Sequence, residues 1–149
     1  MTAGMVSVLL ISCSDRKTDG QAGKKTDRWV HYGTSPDGSQ KHYDSQSVIT
    51  VSPKVVKVWE RAILSTDARN KVIEVRKRAQ LSIDGWDKLD NVRVLREIDC
   101  ASQTYKIIRV EDRNEREGTI YEEDYQNPNA VKIPPGTMTE SLLKAVCPQ

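Results

Sequence analysis

The segment NVRVLREIDCASQTYKIIRVEDRNEREGTIYEEDY, residues 91–125, holds three extended runs in succession. Asn91–Asp99 (NVRVLREID), Gln103–Glu111 (QTYKIIRVE) and Gly118–Tyr125 (GTIYEEDY) carry the β-branched and aromatic residues of strands. Asp112-Arg113-Asn114 supplies turn chemistry for a hairpin between the last two. Upstream, Lys54–Ile63 (KVVKVWERAI) alternates Val56 and Val58 with Lys57, the pattern of a half-buried strand. Further out, Trp29–Thr34 and Gln40–Asp44 flank Ser35-Pro36-Asp37-Gly38, where Pro presets φ and Gly accepts a left-handed conformation. Residues 29–44 therefore read as a hairpin with a Pro36-Asp37-Gly38 loop, and Asp44 or Ser45 can cap a short helical turn through SQSVI.

Two helices complete the pattern. Val72, Val75, Ala79 and Ile83 fall at helical spacing, so a helix is expected over Ala68–Ile83, capped by Asp67 and ended by Gly85. After Pro134-Pro135-Gly136, Thr137-x-x-Glu140 forms a capping box that opens MTESLLKAV. The expected fold is α+β: a mostly antiparallel sheet of about six strands, one longer helix, a C-terminal helix and one disulfide.

The N-terminal end follows different rules. Gly4–Ile11 (GMVSVLLI) is a strongly apolar run followed by Ser12, Cys13 and a polar stretch, the shape of a secretory signal. Leu10-Ile11-Ser12-Cys13 resembles a bacterial lipobox, which implies cleavage before Cys13 and lipid on its sulfur. Multiple acyl chains would hold such a cysteine stably in a membrane. MTAGM lacks Lys and Arg, which a start upstream of Met1 would account for, and Ser14 after the cysteine favours the outer membrane. The competing reading is a buried strand with Cys13 a plain thiol. Ser14–Arg28 has no apolar residue larger than Ala and so reads as a flexible tether. The expected organisation is a signal segment at 1–12, a lipidated cysteine and tether at 13–28, and one domain at 29–149.

With Cys13 committed to lipid, Cys100 and Cys147 remain, and an even pair in an exported domain most simply forms one bridge. A zinc site is the alternative, although neither cysteine lies near a His or in a CxxC pair. A net charge of +2 gives no reason to expect nucleic acid as a partner. No apolar run approaches the roughly 18 residues that span a bilayer, so membrane attachment would rest on the lipid at Cys13.

Candidate chemistry is sparse. His31 and His42 flank the first hairpin, but the loop places His31 opposite Tyr43 and His42 opposite Tyr32, on different faces. Glu122 and Asp124 share a strand face, as expected of a solvated edge that resists pairing. No HExxH, Walker loop or dinucleotide fingerprint is present, so neither enzymatic activity, nor a cofactor, nor a metal is expected. The most suggestive surface is Arg76-Lys77-Arg78, with Arg69 and Lys71 nearby and Glu74 partly offsetting it: a candidate contact for polyanions or acidic protein segments.

HYDSQSVI (42–49), VKVWERAI (56–63), LREIDCASQTYKIIRV (95–110) and IPPGTMTESLLKAVC (133–147), in this order, resemble the surface-adhesin protein E family. The resemblance implies an antiparallel sheet flanked by helices, a Cys100–Cys147 bridge and a lipid-anchored exported domain. For function it implies an adhesin toward host matrix or another envelope protein, with homodimerisation open to it. The alternative is a structural or envelope-assembly lipoprotein with no external ligand.

Overall fold

The computed structural model describes residues 27–148; Cys13 and residues 14–26 lie outside that range. In chain order the elements are β1 Trp29–Thr34, β2 Gln40–Asp44, β3 Ile49–Ser52, β4 Val55–Ile63, α1 Thr66–Arg78, β5 Leu89–Asp99, β6 Thr104–Asn114, β7 Thr119–Asp124, β8 Val131–Lys132 and α2 Met138–Val146. The eight strands form one antiparallel sheet ordered β1-β2-β4-β5-β6-β7. β2 pairs with the second half of β4 and β3 with the first; β7 and β8 divide β6 in the same way. Long central strands thus have short strands at both edges.

Cross-strand pairing sorts the side chains into two faces. Val56 lies opposite Ile98, which lies opposite Tyr105. Val58 in the next row is fully buried, and Leu142 and Val146 of α2 close over this apolar patch together with Ile133. The helix approaches β1 at Gly33, where any Cβ would stand 2.0 Å from Met138 Cε. Thr137 Oγ1 accepts from the Glu140 backbone N–H at 3.3 Å, while Glu140 reaches back to Gly136 N at 2.8 Å. A disulfide joins Cys100 to Cys147, with 5.8 Å between their Cα atoms, and pins the end of α2 to the end of β5. α1 belongs to the same face. It meets the sheet's other end through Arg76, whose guanidinium lies 3.9 Å over Trp86 and 5.7 Å from Tyr121.

Several expectations need correction. β1 carries an extra residue, Tyr32, between the pairs His31↔His42 and Gly33↔Lys41. The loop-derived register holds from Thr34↔Gln40 to Gly33↔Lys41; the bulge then shifts it by one, and the two histidines face each other. Asp44 caps no helix: Oδ1 accepts from Gln46 N at 3.0 Å in a local turn, and the chain continues into β3. Ser65, not Asp67, caps α1, accepting from Ala68 N at 3.1 Å. α1 stops at Arg78 because Gln80 adopts φ 56° and Leu81 N donates back to Arg76 O at 3.0 Å. Gly85, with φ 78°, instead opens a single 3₁₀ turn at Trp86–Lys88. β6 runs through Asp112 and Arg113 to Asn114, whose Oδ1 accepts from Arg116 N and Gly118 N to hold the turn. Arg28, grouped with the tether by composition, reaches the domain: its guanidinium donates to the buried Asp44 carboxylate at 2.6 and 2.8 Å.

Candidate functional site

On the face opposite the helices, charged side chains lie in ordered rows in place of a covering helix. One row runs across six strands as His31, His42, Arg61, Arg93, Glu111 and Glu122. The next contains Trp59, Leu95, Arg109 and Asp124. Arg109 bonds Glu111 at 2.9 Å, Glu122 at 2.6 Å and Asp124 at 2.8 Å, while Arg113 holds the other Glu111 oxygen at 2.5 Å. Glu122 and Asp124 therefore share a face, and one guanidinium occupies both. Lys57 and Lys106 flank Glu97, each at 3.6 Å. Such pairs individually contribute little at a surface; together they fix side-chain positions on an open sheet.

The row is not balanced along its length. At the His31–Arg93 end four basic residues stand side by side around the half-buried Trp29. The Arg61 guanidinium lies 4.5 Å and that of Arg93 5.3 Å from the Trp29 ring centroid. Arg93 pairs with Glu117, whereas Arg61 has no ion pair among the described residues. The Nε atoms of both are buried without an acceptor among those residues. Burial pulls Arg61 below its ordinary range, and Arg93 adds to that against Glu117 and Asp90. Burial likewise holds His42 below its ordinary value, reinforced by Arg61 and His31. The His31 and His42 ring centroids are 5.2 Å apart, edge to face. Among the described residues no three His, Cys, Asp or Glu side chains converge as a metal site. A depression of about 180 Å³ beside Trp29 is lined by Trp59, Arg93, Glu111 and Arg113. A guanidinium beside an indole keeps its in-plane donors for anionic oxygens, and Arg61 has no anionic partner among the described residues.

The helix cluster Arg76-Lys77-Arg78 is more dispersed than its sequence suggests. Arg76 donates through Nε to Ser82 O at 3.0 Å and lies flat on Trp86. Lys77 pairs with Glu74 at 3.2 Å, and Arg78 is exposed. Lys77 is exposed as well, and Arg76 is half-buried.

Sequence reasoning missed a buried ionic cluster on the helix face. Glu60 is 4% exposed, accepting from Arg96 Nε at 2.5 Å and from Tyr32 Oη at 2.6 Å, with Lys41 at 3.9 Å. Burial alone would raise the Glu60 carboxyl; Arg96, Tyr32 and Lys41 outweigh it and hold the group below its ordinary range. The signal that could have found it is the alternation Val56, Val58, Glu60, Ala62, which places a carboxylate in an apolar row.

The fold and its faces define a class: a small disulfide-closed α+β domain with helices on one sheet face and a structured charged surface on the other. The family model for surface-adhesin protein E matches residues 29–148, and the chain belongs to that family. No curated protein matches it. Among solved structures it is similar to the selenomethionine form of Haemophilus influenzae protein E, at 12% identity, TM-score 0.54, covering 81% of this chain and 86% of that one. Crystal form II of the same protein gives 12% identity, TM-score 0.54 and coverage of 81% and 87%. Protein E from non-typeable Haemophilus influenzae gives 13%, TM-score 0.51, and 81% and 76%. At these identities the likeness speaks for the fold alone. Family membership makes the chain a surface-adhesin type of protein associated with the cell envelope. No helix among the described residues is long and apolar enough to cross a membrane.

Proposed function

We propose that this protein is a lipid-anchored adhesin that meets an extracellular partner, a matrix-type protein or a polyanion, through the uncovered face of its sheet. The carrying observation is the clasp of Trp29 by Arg61 and Arg93 at the end of a basic row. Trp and Arg dominate the energetics of protein interfaces, and a preordered guanidinium loses little freedom when it engages an anion. The helix cluster Arg76, Lys77 and Arg78 is a weaker second contact. Arg76 is held by Ser82 and Trp86 and Lys77 by Glu74, much as Arg93 is held by Glu117. The cluster lacks the row of basic residues from neighbouring strands that flanks Arg61, unpaired among the described residues. In this reading the apolar segment and Cys13 supply export and the anchor, with the outer membrane as destination.

Retention on immobilised heparin tests the ligand class. Replacing both Arg61 and Arg93 with Gln is expected to weaken retention about tenfold or more and to flatten its salt dependence. The triple change of Arg76, Lys77 and Arg78 to Gln is expected to weaken it less. If only the triple variant loses retention, the sheet face is not the contact; if the wild type is not retained, polyanion recognition is wrong.

A further inference from the structure

A second recess, unrelated to the charged rows, lies where α1 meets the sheet. It is a cleft of about 350 Å³ walled by Val72, Val75 and Trp86, with Lys71 and Arg76 also lining it, and Asp112 is its acidic lining group. The register places Asp112 there: it lies opposite Val92 on one side and Tyr121 on the other, on the face that α1 touches. The residue is only 8% exposed, yet among the described residues its carboxylate makes no side-chain hydrogen bond or ion pair. Its oxygens are not sealed off but open into the cleft, and a carboxylate largely withdrawn from water without a donor gains from any donor that enters. Arg76 does not, because its guanidinium is held by Ser82 and by the face of Trp86. Beside Asp112 on the same face, Glu123 accepts from the hydroxyls of Tyr121 and Tyr125 at 2.9 and 3.1 Å. Val75, Tyr121 and Tyr125 stand exposed around the opening.

We infer that this cleft receives a lysine side chain from a partner protein, its aliphatic stem against Val72, Val75 and Trp86 and its ammonium on Asp112. An apolar slot with a buried, unpartnered carboxylate matches that side chain in both shape and charge. Lys71 and Arg76 line the same recess, so an ammonium is held there through Asp112 and the apolar walls rather than by the charge of the recess as a whole. The proposal rests on the adhesin reading only in taking the occupant to be a protein. The titratable groups around Asp112 are Arg76 and Lys71 from α1, Tyr121 and Glu123 from β7, and Tyr125 just after it. Burial raises its carboxyl to about 6, against the pull of Arg76, so the anionic form that the ammonium needs fades in mild acid.

The test is an amide and indole NMR titration of the full chain with n-butylammonium, a mimic of the lysine side chain, beside n-butanol and pentanoate. Saturable shifts are expected at Val72, Val75, Trp86 and Asp112. Binding is expected to be about tenfold weaker or more for butanol, for butylammonium on Asp112→Asn, and for butylammonium at pH 5 relative to pH 7.5. Equal response to butanol and butylammonium, binding unchanged by Asp112→Asn, preference for pentanoate, or no shift at these residues overturns the proposal. Heparin retention of Asp112→Asn should equal wild type, so this proposal and the sheet-face reading fail separately.

Discussion

Glu60 and Asp112 are both buried carboxylates on the helix face, and they differ in what surrounds them. Glu60 has Arg96 and Tyr32; Asp112 has no hydrogen-bond partner among the described residues. Glu60→Gln leaves Arg96 buried without its charge partner, so denaturant unfolding should show a loss of about 3 kcal/mol or more; a loss under 1 kcal/mol would mean that water already solvates the pair. Asp112 behaves oppositely. Its carboxyl lies at about 6 in the fold, above its ordinary 3.8, so folding favours the protonated form. That contribution is complete below its ordinary value and is lost as pH rises through about 6. Asp112→Asn should therefore be about 1–3 kcal/mol more stable than wild type at pH 7.5 and nearly equal to it at pH 4. A variant less stable than wild type at both pH values would refute the assignment. Neither role was legible in the sequence. Alternation places Glu60 in line with Val58, but a charged residue in a strand reads as solvent-facing until Arg96, which stands opposite Val58 on the neighbouring strand, is known to reach it.

At the scale of elements, most of the fold could be read along the chain, and the failures have local causes. The central strands and α2 were legible because β-branched runs and a Thr137–Glu140 cap leave little choice. The only marker of the Tyr32 bulge in WVHYGT is the strand glycine Gly33, which does not say where the register shifts, and one extra residue sent His31 and His42 to the same face. α1 ends early although Ile83 keeps the helical period; Gln80 in a left-handed conformation closes it, and Val75 is 64% exposed. β8, at two residues, is too short to carry a pattern. The pairing of Cys100 with Cys147 followed from counting cysteines in an exported chain, and it closes a separation of 47 residues. Cys100→Ser should lower stability by about 4 kcal/mol in the chain-entropy picture. Amide exchange in α2 should accelerate more than in β5, since the bridge ties the helix to a strand already paired on both sides. Equal acceleration in both would show that α2 does not depend on the bridge for its place.

Across the whole molecule, the division of labour is between two sheet faces. One buries the apolar rows under α2 and α1; the other sets ion pairs in rows and leaves Arg61 and Arg93 around Trp29. The two-faced sheet follows from period-2 alternation, so its existence was legible. The candidate contact on the sheet was not, because the sequence draws the eye to Arg76-Lys77-Arg78, where Arg76 lies on Trp86 and Lys77 pairs with Glu74. The basic row assembles from four strands and becomes visible only once they are paired. An adhesin must also present that face to the outside of the cell, whereas an envelope-assembly lipoprotein would keep it within. Protease treatment of intact cells, followed by immunoblotting for the domain, decides between them. The account predicts that the domain is lost from untreated-membrane cells while a periplasmic marker survives; a domain as fully protected as that marker, and degraded only after the outer membrane is opened, would contradict it.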